Sequence, residues 1–316
     1  MTPQPRPSRS RRVPRLDLNL AAGDDGSWAA FVTPRWGWMG RLRVARRLAL
    51  IVVLTVALIP VQVLLMVLPG RLDTRLSRLY WAIVTRILGV AVRVIGQPAG
   101  HASAGSRPVI YVATHSSWLD VPILGARLDA RFIAKEEVGQ WPVISWIAAL
   151  GRTVYVRRKR SSTARERDEL RQRLAAGDSL ILFPEGTTSD GSRVLPFRSA
   201  LLSIAEVPVA ADGRRALVQP VSLVYDRIAG LPVLRSNRLL FAWVGDVDLA
   251  THFARLGQER LMRATVIFHT PLDPADFPSR KALTDAVWRV AAEGAATLRQ
   301  NRPARPLAPV RDPSGS

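Results

Sequence analysis

From Leu48 to Leu68 the chain reads LALIVVLTVALIPVQVLLMVL, 21 residues without a charge. A helix of that length spans the hydrocarbon of a bilayer. A buried core helix is the soluble alternative, but such helices are seldom so long and so free of charge. Two details shape the lipid reading. Pro60 predicts a kink, and basic residues stand on both sides, Arg41, Arg43, Arg46 and Arg47 before and Arg71, Arg75 and Arg78 after. Positive charge at both ends leaves orientation open. A full crossing and a kinked hairpin that enters and leaves one leaflet both fit. Trp28, Phe31, Trp36 and Trp38 precede the segment, as aromatics do at a membrane interface.

The segments around this run divide the chain. Residues 1–40 are rich in Pro, Arg and Ser and read as a disordered basic segment, and no secretory signal with a cleavage site is visible. Residues 41–95 read as the anchor followed by an amphipathic helix, since Leu76, Leu79, Ile83 and Ile87 recur at helical spacing within Arg75–Val94. From Val109 onward short apolar runs alternate with helical stretches. Strands are predicted at 109–113, 132–134, 153–156, 179–183, 218–225, 239–244 and 264–269. Helices are predicted at Val121–Arg127, Pro142–Leu150, Ala164–Ala176, Ala200–Ala205, Leu249–Gln258 and Arg280–Gln300. The alternation predicts an α/β domain over 96–300, with a mixed, largely parallel sheet flanked by helices. In this fold the N-terminal helix or helical hairpin is embedded in the membrane. The tail, 301–316, is Pro-rich and reads as disordered.

Charge and composition narrow the function. The formal charge is +20, nearly all from arginine, which suits nucleic acid, an anionic membrane surface or acidic substrates. There are no cysteines, so disulfides, thiolate catalysis and thiolate-held metals are excluded. No other cluster has recognisable metal-ligand spacing, and no cofactor is called for.

The chemistry-bearing residues fall into a few short stretches. In YVATHSSWLD a strand ends at Ala113 and His115 follows in the turn, at the sheet edge where open α/β folds build their sites. Asp120 stands five residues on, a spacing that a continuous helix would place on another face. The two side chains meet only if His115 is in the loop and Asp120 opens the next helix, where Pro122 fits an early helical position. Asp120 would then hold one ring nitrogen and leave the other as a general base. A helix-capping Asp and a structural His are the plain alternatives. In SLILFPEGTTSDG a strand runs into Glu185, Gly186 and Thr187, which can aim backbone amides, hydroxyls and a carboxylate at a polar head group, or simply make a surface turn. In that reading Glu185 ligates hydroxyls or orders a cation, because a carboxylate repels phosphate. GRTVYVRRKR ends in four cations, of which an arginine can clamp an anionic group, unless the run is only a solvated patch. Lys135 and Arg198, just beyond other elements, are second-rank candidates.

Taken in order, these segments resemble the glycerolipid acyltransferase family, over roughly Arg75 to Tyr225. His115-Ser-Ser-Trp-Leu-Asp120 resembles its H-x4-D motif, whose His is the base. Thr153-Val-Tyr-Val-Arg-Arg158 resembles the second motif, ending in an arginine that binds the substrate head group; strand alignment makes this Arg158, while counting from Gly151 allows Arg157. Phe183-Pro-Glu-Gly-Thr187 resembles the third motif, and Gln219-Pro220-Val221 the fourth, linked to the acyl-chain site. The resemblance implies a lysolipid acceptor, acyl-CoA or acyl-carrier protein as donor and contact with membrane lipids. It also implies a cell-membrane location with the site on the cytoplasmic face. One departure is informative: where the third motif often continues with arginine, this chain has Thr188. That change resembles the subgroup linked to lyso-ornithine lipid. The first choice of acceptor is 1-acyl-sn-glycerol-3-phosphate, giving phosphatidic acid, with lyso-ornithine lipid as the alternative. A membrane-tethered nucleic-acid-binding protein would use the same charge but needs arginines interleaved with exposed aromatics, and none are seen, so no nucleic-acid partner is expected. An inactive scaffold of the same fold is opposed by the intact His115 and Asp120.

Overall fold

The computed structural model describes residues 37–68, 72–101, 107–135, 154–156, 163–209, 213–245 and 247–309. The basic segment through residue 36, the helix predicted over Pro142–Leu150, and Arg157 and Arg158 lie outside these residues.

Helix α1 (Gly37–Val67) is 31 residues long, runs unbroken through Pro60, and is long and apolar enough to cross a membrane. Its apolar side chains point away from the protein; Val53, Val56, Val63 and Leu64 are among those exposed. Apart from Gly40, its buried residues are polar. Arg47 donates to the carbonyls of Gly257 (2.8 Å) and Glu259 (3.0 Å), and Arg43 donates to that of Gln258. Thr55 bonds the Tyr80 hydroxyl at 2.9 Å, and Gln62 reaches the Asp73 carbonyl and Ser77. A helix with its polar stripe against the protein and its apolar face outward has a surface suited to lipid rather than water.

Helix α2 (Leu72–Ile87) packs along α1, and the chain then turns at Gly89, whose φ of +76° suits a residue without Cβ. Strand β1 (Val90–Ile95) follows at once. The helix read over Arg75–Val94 therefore needs correction: it stops at Ile87, and the β-branched run after Gly89 joins the sheet. An ideal Cβ on Gly89 would also lie 2.3 Å from the Arg47 guanidinium, so the same glycine makes room for the α1 contact.

The remaining strands are β2 (Val109–Ala113), β3 (Ala130–Lys135), β4 (Val154–Val156), β5 (Ser179–Leu182), β6 (Leu217–Ile228), β7 (Leu231–Pro232) and β8 (Met262–Phe268). Among the described residues they form an eight-stranded sheet, ordered β1-β8-β6-β2-β5-β3-β4, with the short β7 paired to β6. Strands β6, β2, β5, β3 and β4 run parallel, β8 is antiparallel to β6, and β1 is parallel to β8. The sheet is thus mixed and largely parallel, as the alternation predicts. Strands β2 and β5 are buried throughout, which matches their unbroken apolar sequence.

The helices are α3 (Asp120–Gly125), α4 (Thr163–Ala175), α5 (Leu249–Leu256) and α6 (Arg280–Arg299), with a 3-10 run at Ser199–Glu206 where a helix was predicted. Ile110, Val112, Leu180 and Val218 from the sheet pack with Leu202 and Ile204 of the 3-10 run and Leu283, Val287 and Ala291 of α6. The strand predicted at 239–244 is a further correction. Residues Arg235–Leu240 form a 3-10 turn, and Phe241 and Ala242 both bond back to the Arg238 carbonyl. The run is apolar because it lines a cleft, and periodicity cannot distinguish that from a short buried strand. Beyond α6 the chain bends back to the sheet, and Leu307 exchanges bonds with Thr270 and with Nδ1 of His269.

Helix α6 approaches the sheet most closely at Gly294, where an added Cβ would meet His269 and the Ser222 hydroxyl at 2.6 Å. Ser222 donates to the Ala291 carbonyl and so accepts from Nε2 of His269, a fully buried pair with no room to yield. Gly294→Ala should destabilise the protein by about 1–3 kcal/mol, read as a lower midpoint in thermal unfolding.

Candidate active site

Strands β2, β5, β3 and β4 end at one edge of the sheet. His115 leaves β2 there, Phe183 to Gly186 leave β5, and Lys135 is the last residue of β3. The side chain of Lys135, like Arg157 and Arg158, lies outside what the structure describes.

Asp120 opens α3, three residues after Ser117 turns the chain, and this brings its carboxylate under His115. Nδ1 of His115 lies 2.9 Å from Oδ2 of Asp120. The same oxygen accepts the backbone N–H groups of Ser116 (2.8 Å) and Ser117 (3.0 Å), while Oδ1 accepts the Tyr225 hydroxyl at 2.6 Å. A carboxylate only accepts, so Nδ1 carries the proton and Nε2 is left as the free base. Asp120 has no exposed surface, whereas His115 is 19% exposed and reaches the cleft. The Phe183 ring stacks under the imidazole at 4.0 Å and fixes its plane.

Glu185 is 2% exposed, and its two oxygens accept the backbone N–H groups of His115 and Leu195, each at 2.8 Å. Both oxygens are taken up by main-chain amides, an arrangement that ties the turn after β5 to the turn after β2. The Ser189 amide adds a second tie by donating to the His115 carbonyl at 2.9 Å. Gly186 carries a φ of +71° in this turn and Thr187 is exposed beside it. Thr188, at the position where arginine was expected, donates its hydroxyl to the Trp243 carbonyl. The Trp243 amide in turn donates to the Ser116 carbonyl at 2.8 Å. Pro220 sits in β6 opposite Val112, three residues before His115.

Tyr225 was not among the residues picked out by sequence. It ends a predicted strand, and only the β2–β6 register, with Ala113 opposite Val221, carries it past β2 to Asp120. Burial and the adjacent Asp120 push its phenol well above its usual pKa, so it stays a donor. His252 was also missed. Its Nδ1 accepts from Trp118 of the motif at 2.9 Å, and its Nε2 faces the Ala242 carbonyl at 3.0 Å. Burial lowers its pKa to about 4, which keeps the ring neutral for that pair of bonds.

A cleft opens beside His115, between the later part of β6, the loop at 189–194, the 3-10 turn and the end of α6. Tyr225 and Phe241, stacked at 4.8 Å, form one side, and Arg193, Arg238 and Arg299 also line it.

Two outcomes follow from these contacts. Tyr225→Phe removes one donor from a buried carboxylate and should lower kcat about tenfold or more with little change in KM, measured in steady state. Burial raises the Glu185 pKa from 4.5 to about 7, against the pull of its two amide donors. The folded protein therefore holds this proton where the unfolded chain has lost it. The resulting stability, of order ~3 kcal/mol, is complete below about pH 4.5 and disappears as pH rises through about 7. Unfolding free energies measured between pH 5 and 8 should show that fall, and Glu185→Gln should lack it.

Comparison with known proteins agrees with this geometry. Residues 92–224 match the family model described as Acyltransferase. The chain is 38% identical over 247 residues to the lyso-ornithine lipid O-acyltransferase of Brucella abortus, covering 78% of this chain and 91% of that one. It is 30% identical to the 1-acyl-sn-glycerol-3-phosphate acyltransferase of Neisseria gonorrhoeae, covering 61% and 70%. Its fold is similar to the crystal structure of the 1-acyl-sn-glycerophosphate acyltransferase of Thermotoga maritima, with a TM-score of 0.56 at 20% identity over 82% and 98% of the two chains. The chain belongs to the glycerolipid acyltransferase family and is an acyltransferase of the lysolipid-esterifying type.

Proposed function

We propose that the protein is a membrane-bound lyso-ornithine lipid O-acyltransferase, using acyl-CoA or acyl-carrier protein as donor. The observation that carries the acceptor is the graded similarity. The Brucella relative named for lyso-ornithine lipid is matched at higher identity and over more of its length than the Neisseria relative named for 1-acyl-sn-glycerol-3-phosphate. Thr188 supports the same choice, because its hydroxyl is spent on the Trp243 carbonyl and leaves no cation where the phosphate-using motif often has arginine. Phosphatidic acid synthesis, the first reading of the motifs, thus becomes the second.

The site suits direct transfer. Nε2 of His115 removes the proton of the lysolipid hydroxyl, and that oxygen attacks the thioester carbonyl of the donor. The tetrahedral intermediate collapses with loss of the thiolate, which takes the proton back from the imidazolium. Asp120 stabilises that imidazolium, and its own four donors hold it in place. Arg157 or Arg158, Lys135 and the 185–187 turn complete the substrate contacts in this proposal, and the reaction needs no cofactor or metal.

In this reading helix α1 holds the site at the lipid surface, on the cytoplasmic face, with the acceptor arriving by lateral diffusion. The helix is tied to α2 and to the segment after α5 from Arg43 to Gln62 and runs unbroken through Pro60, which favours one continuous helix over a hairpin kinked within Leu48–Leu68. The arginine excess would attract anionic lipid and an acidic donor.

The decisive experiment gives the full-length protein in membranes a labelled acyl donor with lyso-ornithine lipid or lysophosphatidic acid. Label should enter ornithine lipid, and His115→Ala should cut the rate by about 10²–10⁴-fold. Label in phosphatidic acid alone would reverse the choice of acceptor, and label in neither would remove the enzyme reading.

A further inference from the structure

Four partly buried arginines among the described residues are neutralised by carboxylates: Arg107 by Asp273, Arg131 by Asp178, Arg263 by Asp226 and Arg280 by Glu206. Arg238 and Arg299 differ from these, as do Arg43 and Arg47, which spend their donors on the carbonyls after α5. Arg238 and Arg299 are half-buried in the wall of the cleft beside His115, and among the described residues neither has a carboxylate within ion-pair distance. Instead the Arg238 side chain donates to the main-chain carbonyl of Arg299 at 3.3 Å, which ties it to the end of α6 from which Arg299 also enters the cleft wall. Burial lowers the pKa of both guanidiniums; Arg235 lowers that of Arg238 further and Arg238 that of Arg299, against the pull of Glu185 and Asp190 on Arg299 and of Asp190 on Arg238.

Two like charges kept together and partly out of water need an anion, and one that enters the cleft gains bidentate hydrogen bonds from planar donors. Asp190 stands on the loop across from them. It is exposed, and its Oδ1 accepts the Ser192 amide at 2.8 Å. It is near enough to attract both arginines without pairing with either. The cleft that His115 lines thus has two cations in its wall, and Asp190 lies in the loop between Ser189 and Gly191, which line it too.

We propose that Arg238 and Arg299 bind the carboxylate of an amino-acid head group and that Asp190 binds its ammonium, making this cleft the head-group subsite. The proposal rests on the lyso-ornithine reading and gives it a structural cause. An ornithine head group carries both charges, separated by its side chain. A lysophosphatidic acid would satisfy the arginines, but it has nothing for Asp190 and its phosphate is repelled there. Arg193, exposed at the mouth, adds a third cation that draws the carboxylate in.

The test compares lyso-ornithine lipid with its carboxyl methyl ester, using the full chain and the Arg238→Gln, Arg299→Gln and Asp190→Asn variants. Thermal unfolding confirms that each is folded. The wild type should show a KM for the ester about tenfold or more above that for the free acid. Each arginine variant should raise KM for the free acid by a similar factor, distinguish acid from ester by less than about twofold, and leave the donor KM unchanged. Asp190→Asn should raise KM for lyso-ornithine lipid and lower it for lysophosphatidic acid. Arginine variants that still prefer the acid as the wild type does would place the carboxylate elsewhere and overturn the proposal while leaving the acceptor reading intact. A raised donor KM with the acceptor KM unchanged would assign the pair to the donor's phosphates, again overturning it. A wild type that esterifies lysophosphatidic acid and neither ornithine form would overturn both.

Discussion

A carboxylate with no exposed surface must find all its hydrogen bonds within the protein, and at Asp120 this requirement organises the active site. Its four donors are the His115 ring, the backbone amides of Ser116 and Ser117, and the Tyr225 hydroxyl. Three come from the turn that Asp120 itself closes, so the turn can fold only around the charge. The fourth comes from β6, more than a hundred residues later, and depends on strand register. The cost of burying the charge is thereby offset, and its remaining field falls on one imidazole nitrogen. The tautomer of the ring follows from that arrangement, and its orientation from that arrangement together with Phe183.

Glu185 does for the neighbouring turn what Asp120 does for its own. Its carboxylate spans the amides of His115 and Leu195, so the loops after β2 and β5 move as one unit. Phe183, one turn earlier, supplies the flat surface on which the imidazole rests. Thr188 and Trp243 extend the same network to the cleft wall, linking Ser116 to the segment that carries Phe241. The substrate cleft and the base are therefore parts of one hydrogen-bonded body. A motif position that might have carried a cation here joins loops instead.

The long apolar helix α1 enters this network through α5. Arg47 of α1 holds the carbonyls just after α5, and His252 within α5 holds Trp118 of the H-x4-D motif. The Arg47 contacts are buried and the Trp118–His252 contact is partly buried. Helix α1 can present an almost wholly apolar face outward because its few polar residues are used in this way. The base thus has a defined position relative to the surface on which its acceptor would lie.

Local pattern carried much of this in the sequence. The uncharged run of Leu48–Leu68, the strands 109–113, 179–183 and 264–269, helix 280–300, and the pairing of His115 with Asp120 all follow from spacings within a few residues, where backbone periodicity dominates. The same local reading failed where the deciding force was distant. Val90–Ile95 became a strand because β8 was there to pair with it and Gly89 let the chain turn; 239–244 became a cleft wall because Tyr225 was there to cover it. Tyr225, the amide-spanning use of Glu185, and the Arg238–Arg299 pair were illegible for one reason: each joins residues far apart in the chain. By itself the sequence determined which segments are apolar, which are helical or extended, and which residues can move a proton. Only the tertiary structure decided which of those residues meet, because strand register and helix docking are set by burial of the whole sheet and leave no mark in any short stretch.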